Sequence, residues 1–572
     1  MSETMKDGPS VAEHAATLAQ SGAIDVVILG AGINGASLFR DLSAQGVNCM
    51  LVDKGDFGSG TSAAPSRLIH GGLKYLETGE FGLVAQSTLE RNLLLRNAPH
   101  CVTPLPTVIP IFSWTKGIGA ALRTLFGSKS APRSRGALLI KAGLAIYDYY
   151  GSRNRVMPRH RMVGRRTALS EMPALTPSIV ATGTYYDAKV SLPERLVYEL
   201  VADGMAANPG SAALNYTDLV SSADGTLTFK PQSGGAPFSL RPKLVVNAAG
   251  PWIDHVNTAL GTPSRMIGGT KGSHILLRHD ELIKALKGQM IYFEADDGRI
   301  CLVYDYLGLA LVGSTDIPAD NPDTVKADQA EIDYLIASLR SLLPGLQFDH
   351  SQIVYAYAGI RPLPASNAAV PGLISRDHSA PVLEPEGTRP FPIISLVGGK
   401  WTTFRGFAEE VADSVLKRLG RSRKVSTRTL AIGGGRDYPS DAAARADWLG
   451  KAVGASGLPR ERLETLFARY GTTALPVALH CAASSRGEET LQASSYSLAE
   501  IEYIAGKEHV GHLADIVMRR TALAITGSLT RHDLEVIARV AGEVLGWGVE
   551  RITTEVESVV SQLSERNLLK IA

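Results

Sequence analysis

One stretch near the start of the chain limits the fold more than any other: "IDVVILGAGINGASLFRDLSAQGVNCMLVDKGD", residues 24–56. Residues 24–29 are a short, mostly apolar run, which predicts a buried parallel strand. Gly30, Gly32 and Gly35 then spell G-x-G-x-x-G. Residues 34–45 read as a helix opened by Asn34, and 47–52 as a second apolar strand that closes on Asp53. Gly30 permits the tight turn, Gly32 lets backbone approach a pyrophosphate, and Gly35 allows close helix–strand packing. The helix N-terminus presents N–H groups and the positive end of a dipole to phosphates. Asp53 stands where a carboxylate accepts ribose hydroxyls, and its charge would repel a 2′-phosphate. A glycine pattern alone is weak. Strand, helix, strand and acid in register describe a dinucleotide-binding unit.

The rest of the composition bounds what surrounds that unit. The chain has 572 residues, 58 basic and 56 acidic side chains, and 45% hydrophobic residues. That is enough for about two to four domains with real cores. A net charge of +2 argues against a general nucleic-acid binder. Cys49, Cys101, Cys301 and Cys481 are scattered without a C-x-x-C pair, so neither a metal site nor a disulfide framework is expected, and a reducing, cytoplasmic compartment is. Residues 1–22 lack a basic start and apolar core, and read as a flexible soluble tail. No apolar run reaches the ~18 residues of a spanning helix.

The first motif does not separate FAD from NAD, which share an ADP half. Two later segments bear on the choice. "PKLVVNAAGPWID", residues 242–254, is an apolar strand closing on a small-residue turn with Ala249 and Gly250. "FPIISLVGGKWTTFRGFAEEVADSVLKRL", residues 391–419, is a strand, then Gly398 and Gly399, then a long amphipathic helix. A glycine pair opening a helix far down the chain suits a flavin lying against a helix N-terminus. Three spaced pieces favour FAD over NAD. The expected fold class is α/β, with a glutathione-reductase-like Rossmann-type FAD-binding domain built from 23–110, 185–265 and 350–420. An inserted α+β substrate and membrane-facing domain would take 111–184 and 266–349. A polar, glycine-rich linker at 421–441 would lead to a helical C-terminal domain at 442–572.

"SRLIHGGLKYLETGEF", residues 66–81, sets His70 against Gly71 and Gly72, a pair that weakens both helix and strand. With "GTSAAPSRLIHGGLKYLE", "VVNAAGPWID", "TKGSHILL", "VGSTD", "YAGIRPL", "SRDH" and "GGKWTTFR", it runs in one order along the chain. In these pieces the chain resembles the respiratory, quinone-linked, FAD-dependent glycerol-3-phosphate dehydrogenases. The tail piece "HLADIVMRRTALA" resembles that family's helical C-terminal domain.

The resemblance implies that Gly71 and Gly72 pack against the isoalloxazine and that His70 faces substrate C2, where an imidazole can take a hydroxyl proton. It implies that Lys54, Thr61, Ser62 and Thr402 join the glycines, Asn34, Asp53 and Lys400 around the cofactor. Lys74, Tyr75, Arg361, Arg376 and Thr315 would bind substrate, with His70, Arg361 and Lys400 catalytic. Several converging cations suit a dianionic phosphate ester, here sn-glycerol 3-phosphate, oxidised at C2 to dihydroxyacetone phosphate with electrons passed to quinone. Structural hydrogen bonding is the competing reading for Thr315, Asp316 and His274. Four departures stand out: Lys74 where arginine is usual, Arg67 where lysine is, Ser191-Leu192 in place of an acidic pair, and Trp401 in place of a smaller aliphatic. A lysine is a weaker, unforked phosphate partner, so a longer polyol phosphate stays open. So do an oxygen-using oxidase, an amine or amino-acid oxidase, a non-catalytic FAD-binding protein, and the acceptor's identity.

Residues 113–166 hold 12 Lys/Arg and one acid, Asp148, a local net charge of +11. Trp114, Leu122, Leu125 and Phe126 are interspersed. Such a segment fits peripheral contact with the cytoplasmic face of an anionic membrane. Nucleic acid is not expected, because the aromatics are not spaced as stacking platforms. A homodimer is left open.

Overall fold

The computed structural model describes residues 11–76, 79–115, 136–151, 156–319, 321–365, 377–487 and 489–571. The chain divides into two compact units. The first comprises Met1–Ala63, Pro193–Thr270 and Ile360–Gly433, and the second Ala64–Leu192, Lys271–Gly359 and Gly434–Ala572.

The first unit is built on a six-stranded sheet, ordered Val382–Leu383, Ile393–Ser395, Leu244–Asn247, Val26–Leu29, Cys49–Val52, Ala212–Leu214. Its neighbours pair in parallel except at the outer Val382–Leu383 strand. The central strands are buried along their whole length, as apolar runs covered on both faces must be. Leu29 stands opposite both Val52 and Asn247, so three strands end level with one another. The helices Ile33–Ala44, Pro193–Ala207 and Phe404–Arg418 pack together beside this sheet. A three-stranded antiparallel sheet, Thr217–Ala223, Thr226–Pro231 and Phe238–Leu240, completes the unit.

The second unit carries a larger sheet. Its main path runs Ile317–Pro318, Ile267–Leu277, Leu309–Gly313, Ile300–Tyr306, Met290–Glu294, Val102–Ile111, Ala181–Val190, Leu68–Ile69. Helices follow to the C-terminus, among them Ala442–Ser456, Arg460–Tyr470, Leu498–Lys507, Arg531–Leu545 and Val549–Asn567.

Three features differ from the sequence-based division. The first segment of the FAD-binding unit ends at Ala63 rather than at residue 110. The reason is pairing: Leu68–Ile69 and Val102–Ile111 both lie antiparallel to Ala181–Val190, which holds them in the second unit. Residues 11–20, read as part of a flexible tail, form the helix Val11–Gln20, and its Ala15 and Ala19 are buried. Two alanines one turn apart give a narrow stripe that packs without a large apolar side chain. Residues 421–432, read as linker, are strapped to the helix Ile33–Ala44. Gln45 Oε1 accepts the Lys424 and Val425 N–H groups at 2.7 and 3.0 Å, and Arg423 pairs with Asp41 at 2.8 Å. Arg40, Asp41 and Gln45 are buried polar residues, and the strap supplies the partners they require.

Candidate functional site: a dinucleotide cradle and a histidine segment

The first unit assembles the cradle the sequence describes. Gly30 has φ +104°, and a Cβ there would stand 2.6 Å from the Ala248 carbonyl oxygen. A Cβ on Gly35 would overlap the Gly30 carbonyl oxygen, and one on Gly32 would sit 3.1 Å from Ser62 Oγ. The first glycine motif and the small-residue turn after Asn247 therefore touch backbone to backbone. Gly32 is the N-cap of the helix Ile33–Ala44 and brings no side-chain cap. Ser62 Oγ accepts the Ile33 N–H at 2.9 Å, the first of the amides the helix would otherwise leave open. Asp53 accepts the Ala31 N–H at 2.6 Å and the Gly55 N–H at 2.8 Å, which aims its carboxylate from the end of the second strand. Burial pushes the Asp53 carboxyl up to about 6, against the pull of the Gly55 and Ala31 amides.

The late glycine pair joins the same cradle. Gly398 and Gly399 have φ +72° and +93°, a region that favours glycine. A Cβ on Gly399 would stand 3.0 Å from Asn34 Nδ2. Asn34 Oδ1 is buried and has no hydrogen-bond partner among the described residues, an acceptor in want of a donor at the mouth of the glycine turn. Lys400 caps the short turn Trp401–Thr403, with Thr402 buried behind it. Trp401 Nε1 donates to the Ser62 carbonyl at 3.2 Å, and Thr61 Oγ1 to the Ile360 carbonyl at 2.6 Å. The Trp401 indole thus ties the turn at 401–403 to the turn at 61–63. Lys54 Nζ lies 4.6 Å over the Trp252 ring, beyond Ala249 and Gly250. The cradle and the orphaned Asn34 oxygen fit a bound dinucleotide.

In the second unit, His70 follows the edge strand Leu68–Ile69, and its ring is stacked with Tyr75 at 6.4 Å between centroids. Gly72 has φ +77°. The space in front of Gly71 is filled by protein: a Cβ there would strike the Tyr147 hydroxyl and stand 2.6 Å from Thr88 Cγ2. Arg67 is buried with φ +55°, donates to Tyr306 Oη at 2.9 Å, and lies 5.1 and 5.5 Å from the Tyr306 and Tyr357 rings. A planar guanidinium stacks there as an ammonium cannot, which accounts for arginine at this position. His274 bonds Ser66 Oγ at 2.8 Å and stacks on Tyr357 at 4.8 Å. Thr315 Oγ1 donates to Glu331 at 2.5 Å and accepts the Ser273 N–H at 2.8 Å, which is structural hydrogen bonding. Arg361 lies on the strand Ile353–Pro364. Arg376 and, within the basic run 113–166, residues 116–135 and 152–155 lie outside the described residues, as does the Lys74 side chain. The sequence reading missed Arg91, Tyr147 and Asp187, which surround Gly71; their only signal is that a buried Arg and Asp must find each other.

The model of FAD-dependent oxidoreductases matches residues 25–413, and that of the C-terminal domain of alpha-glycerophosphate oxidase matches 425–552. A glycerol-3-phosphate dehydrogenase of Synechocystis sp. is 33% identical over 94% of this chain and 96% of its own. The chain belongs to the FAD-dependent glycerol-3-phosphate dehydrogenase family. FAD is therefore the chain's cofactor. A D-erythritol 1-phosphate dehydrogenase of Brucella abortus, 30% identical over 88% of this chain and 95% of its own, is also similar. A glycerol-3-phosphate dehydrogenase from Bacillus halodurans, solved with FAD, shares the fold with a TM-score of 0.74 over 97% of both chains at 22% identity. For this family member the fold class expected from sequence holds: α/β with a Rossmann-type FAD-binding part and a helical C-terminal domain.

Proposed function

We propose that the protein oxidises sn-glycerol 3-phosphate to dihydroxyacetone phosphate and passes the electrons to a quinone. The observation that carries this reading is family membership along nearly the whole chain, joined to a cradle whose Gly30, Asn34, Asp53 and Gly399 suit FAD. Bound FAD supplies the acceptor for the hydride leaving C2. His70 takes the C2 hydroxyl proton on its imidazole, and Lys400 polarises the oxygen that becomes the carbonyl. By the family resemblance Arg361, Arg376, Lys74 and Tyr75 would bind the phosphate ester, while Thr315 supports the Ser273 backbone. Bleaching of the flavin band at about 450 nm by sn-glycerol 3-phosphate without oxygen tests the reading. His70→Ala is expected to slow that bleaching about 10²- to 10⁴-fold. A flavin that stays oxidised with this substrate overturns the proposal.

A longer polyol phosphate is the second reading, favoured by the D-erythritol 1-phosphate dehydrogenase relative and by Lys74 in place of an arginine fork. The ratio of bleaching rates with tetritol and glycerol phosphates decides between them, and oxygen uptake with peroxide formation would mark an oxidase instead.

Electron delivery to quinone entails contact with a bilayer. Among the described residues no helix is long and apolar enough to cross a membrane. Phe112, Trp114, Leu138, Ile146 and Tyr149 are exposed within or beside the strongly basic stretch, and they support peripheral docking on an anionic cytoplasmic face.

A further inference from the structure

Three buried side chains converge on one backbone amide beside His70. The Gly71 N–H donates to Tyr147 Oη at 2.9 Å and to Asp187 Oδ1 at 3.1 Å. Arg91 Nη1 donates to Tyr147 Oη at 2.8 Å, to Asp187 Oδ1 at 3.1 Å and to the Tyr186 carbonyl at 2.8 Å. The Tyr147 hydroxyl closes the ring by donating to Asp187. Arg91, Tyr147 and Asp187 are only 3%, 3% and 1% exposed. They come from three separate elements: the helices Phe81–Asn97 and Ala137–Tyr150 and the strand Ala181–Val190.

A buried guanidinium, carboxylate and phenol could satisfy one another without further help. Here a single N–H of the histidine segment is inserted at their meeting point instead. Burial raises the Tyr147 phenol well above its ordinary range, so it remains a neutral donor, while the Asp187 carboxylate opposes the effect of burial on Arg91, which stays charged. Withdrawing the Gly71 amide would take a buried N–H away from both of its acceptors, which is costly in a low dielectric. The glycine is locked sterically as well, since a Cβ would collide with Tyr147 and Thr88. The main chain at residue 71 is therefore held from two sides, which fixes the peptide plane that joins it to His70.

We propose that Tyr147, with Arg91 and Asp187, is a positioning device that sets the Gly71 backbone and so aims His70 at the substrate hydroxyl. The inference rests on His70 being the base. Neither Tyr147 nor its partners touch substrate; they act through the histidine.

The experiment is a double-mutant cycle on the FAD-loaded full chain, read as the rate of anaerobic flavin reduction by sn-glycerol 3-phosphate. Tyr147→Phe keeps the ring and removes the hydroxyl. It is expected to slow reduction about 10- to 100-fold, with the substrate concentration at half-maximal rate changed less than about threefold. In His70→Ala, adding Tyr147→Phe is expected to cost nothing more. If the two losses multiply, or if Tyr147→Phe lowers only the melting temperature, the positioning role is overturned. If His70→Ala reduces its flavin at the wild-type rate, the reading of His70 fails first, and the cycle distinguishes that case. Amide hydrogen exchange on the wild-type protein gives a check that needs no variant. The Gly71 amide is expected among the slow exchangers of residues 68–76, and exchange as fast as an exposed loop would overturn the proposal.

Discussion

Asn34 and Gly399 meet across the first unit: the Asn34 side-chain amide lies 3.0 Å from the place a Cβ on Gly399 would take. Gly399 also has φ +93° and abuts the Phe407 ring. Gly399→Ala is thus strained twice, by backbone and by contact. We expect it to weaken FAD binding at least about tenfold, some 1.4 kcal/mol, while the apoprotein folds. Flavin content after purification and titration of the apoprotein with FAD measure this.

Asp53 is expected to make FAD binding sensitive to pH. Its carboxyl in the folded chain lies near 6, raised by burial above the ordinary range near 3.9. The folded apoprotein therefore holds a proton that the unfolded chain has released between these values. The contribution of this group to apoprotein stability is fully present below about 4 and is lost as pH rises through about 6. Ribose hydroxyls donate to the ionised form, so FAD affinity should climb up to about tenfold per pH unit below 6 and level off above it. Asp53→Asn should flatten the profile. Titration of apoprotein with FAD from pH 4.5 to 8 checks both statements.

Glu500 is completely buried in the helical C-terminal part. Its carboxylate accepts from Arg462 at 2.9 Å, from Arg469 at 2.7 Å and from the Tyr470 hydroxyl at 2.7 Å, and Ser497 caps its helix. Glu500→Ala strands two arginines and should cost about 3–5 kcal/mol. Glu500→Gln should cost less, because the amide oxygen still accepts. Urea unfolding followed by circular dichroism measures both.

The exposed face of the helix Ala137–Tyr150 tests the membrane proposal. Ala137, Ile140, Leu144 and Tyr147 are buried, whereas Leu138, Ile146 and Tyr149 face out. Leu138→Glu with Ile146→Glu should weaken co-sedimentation with anionic vesicles about tenfold or more and leave bound FAD unchanged. Wild-type binding should fall with added salt. Equal binding by variant and wild type would remove this helix from the docking surface.

The glycine turn and its strand–helix–strand frame were legible in sequence because their logic is local. Gly30, Gly32, Gly35 and Asp53 fall within one strand–helix–strand unit, and glycine's backbone preferences are set by sterics a few bonds away. The histidine segment was legible as a place where something must approach closely. What approaches Gly71 in the fold is the Tyr147 phenol, a partner from a separate helix that no spacing rule connects to it. The helix Val11–Gln20 was missed because its packing stripe is alanine, and the strap at 421–432 because its polar composition resembles a linker until Gln45, Asp41 and Arg40 are seen beneath it.

The amino-acid order alone determined the dinucleotide-binding unit, the FAD cofactor and the family. Those features are carried by short-range backbone geometry and by motif residues. Tertiary structure alone decided that residues 64–110 belong with the second unit, and that a buried Arg91–Tyr147–Asp187 ring grips Gly71. The physical reason is that strand pairing and the neutralisation of buried charge are satisfied by whichever partner the folded chain brings near, and sequence distance does not say which one that is.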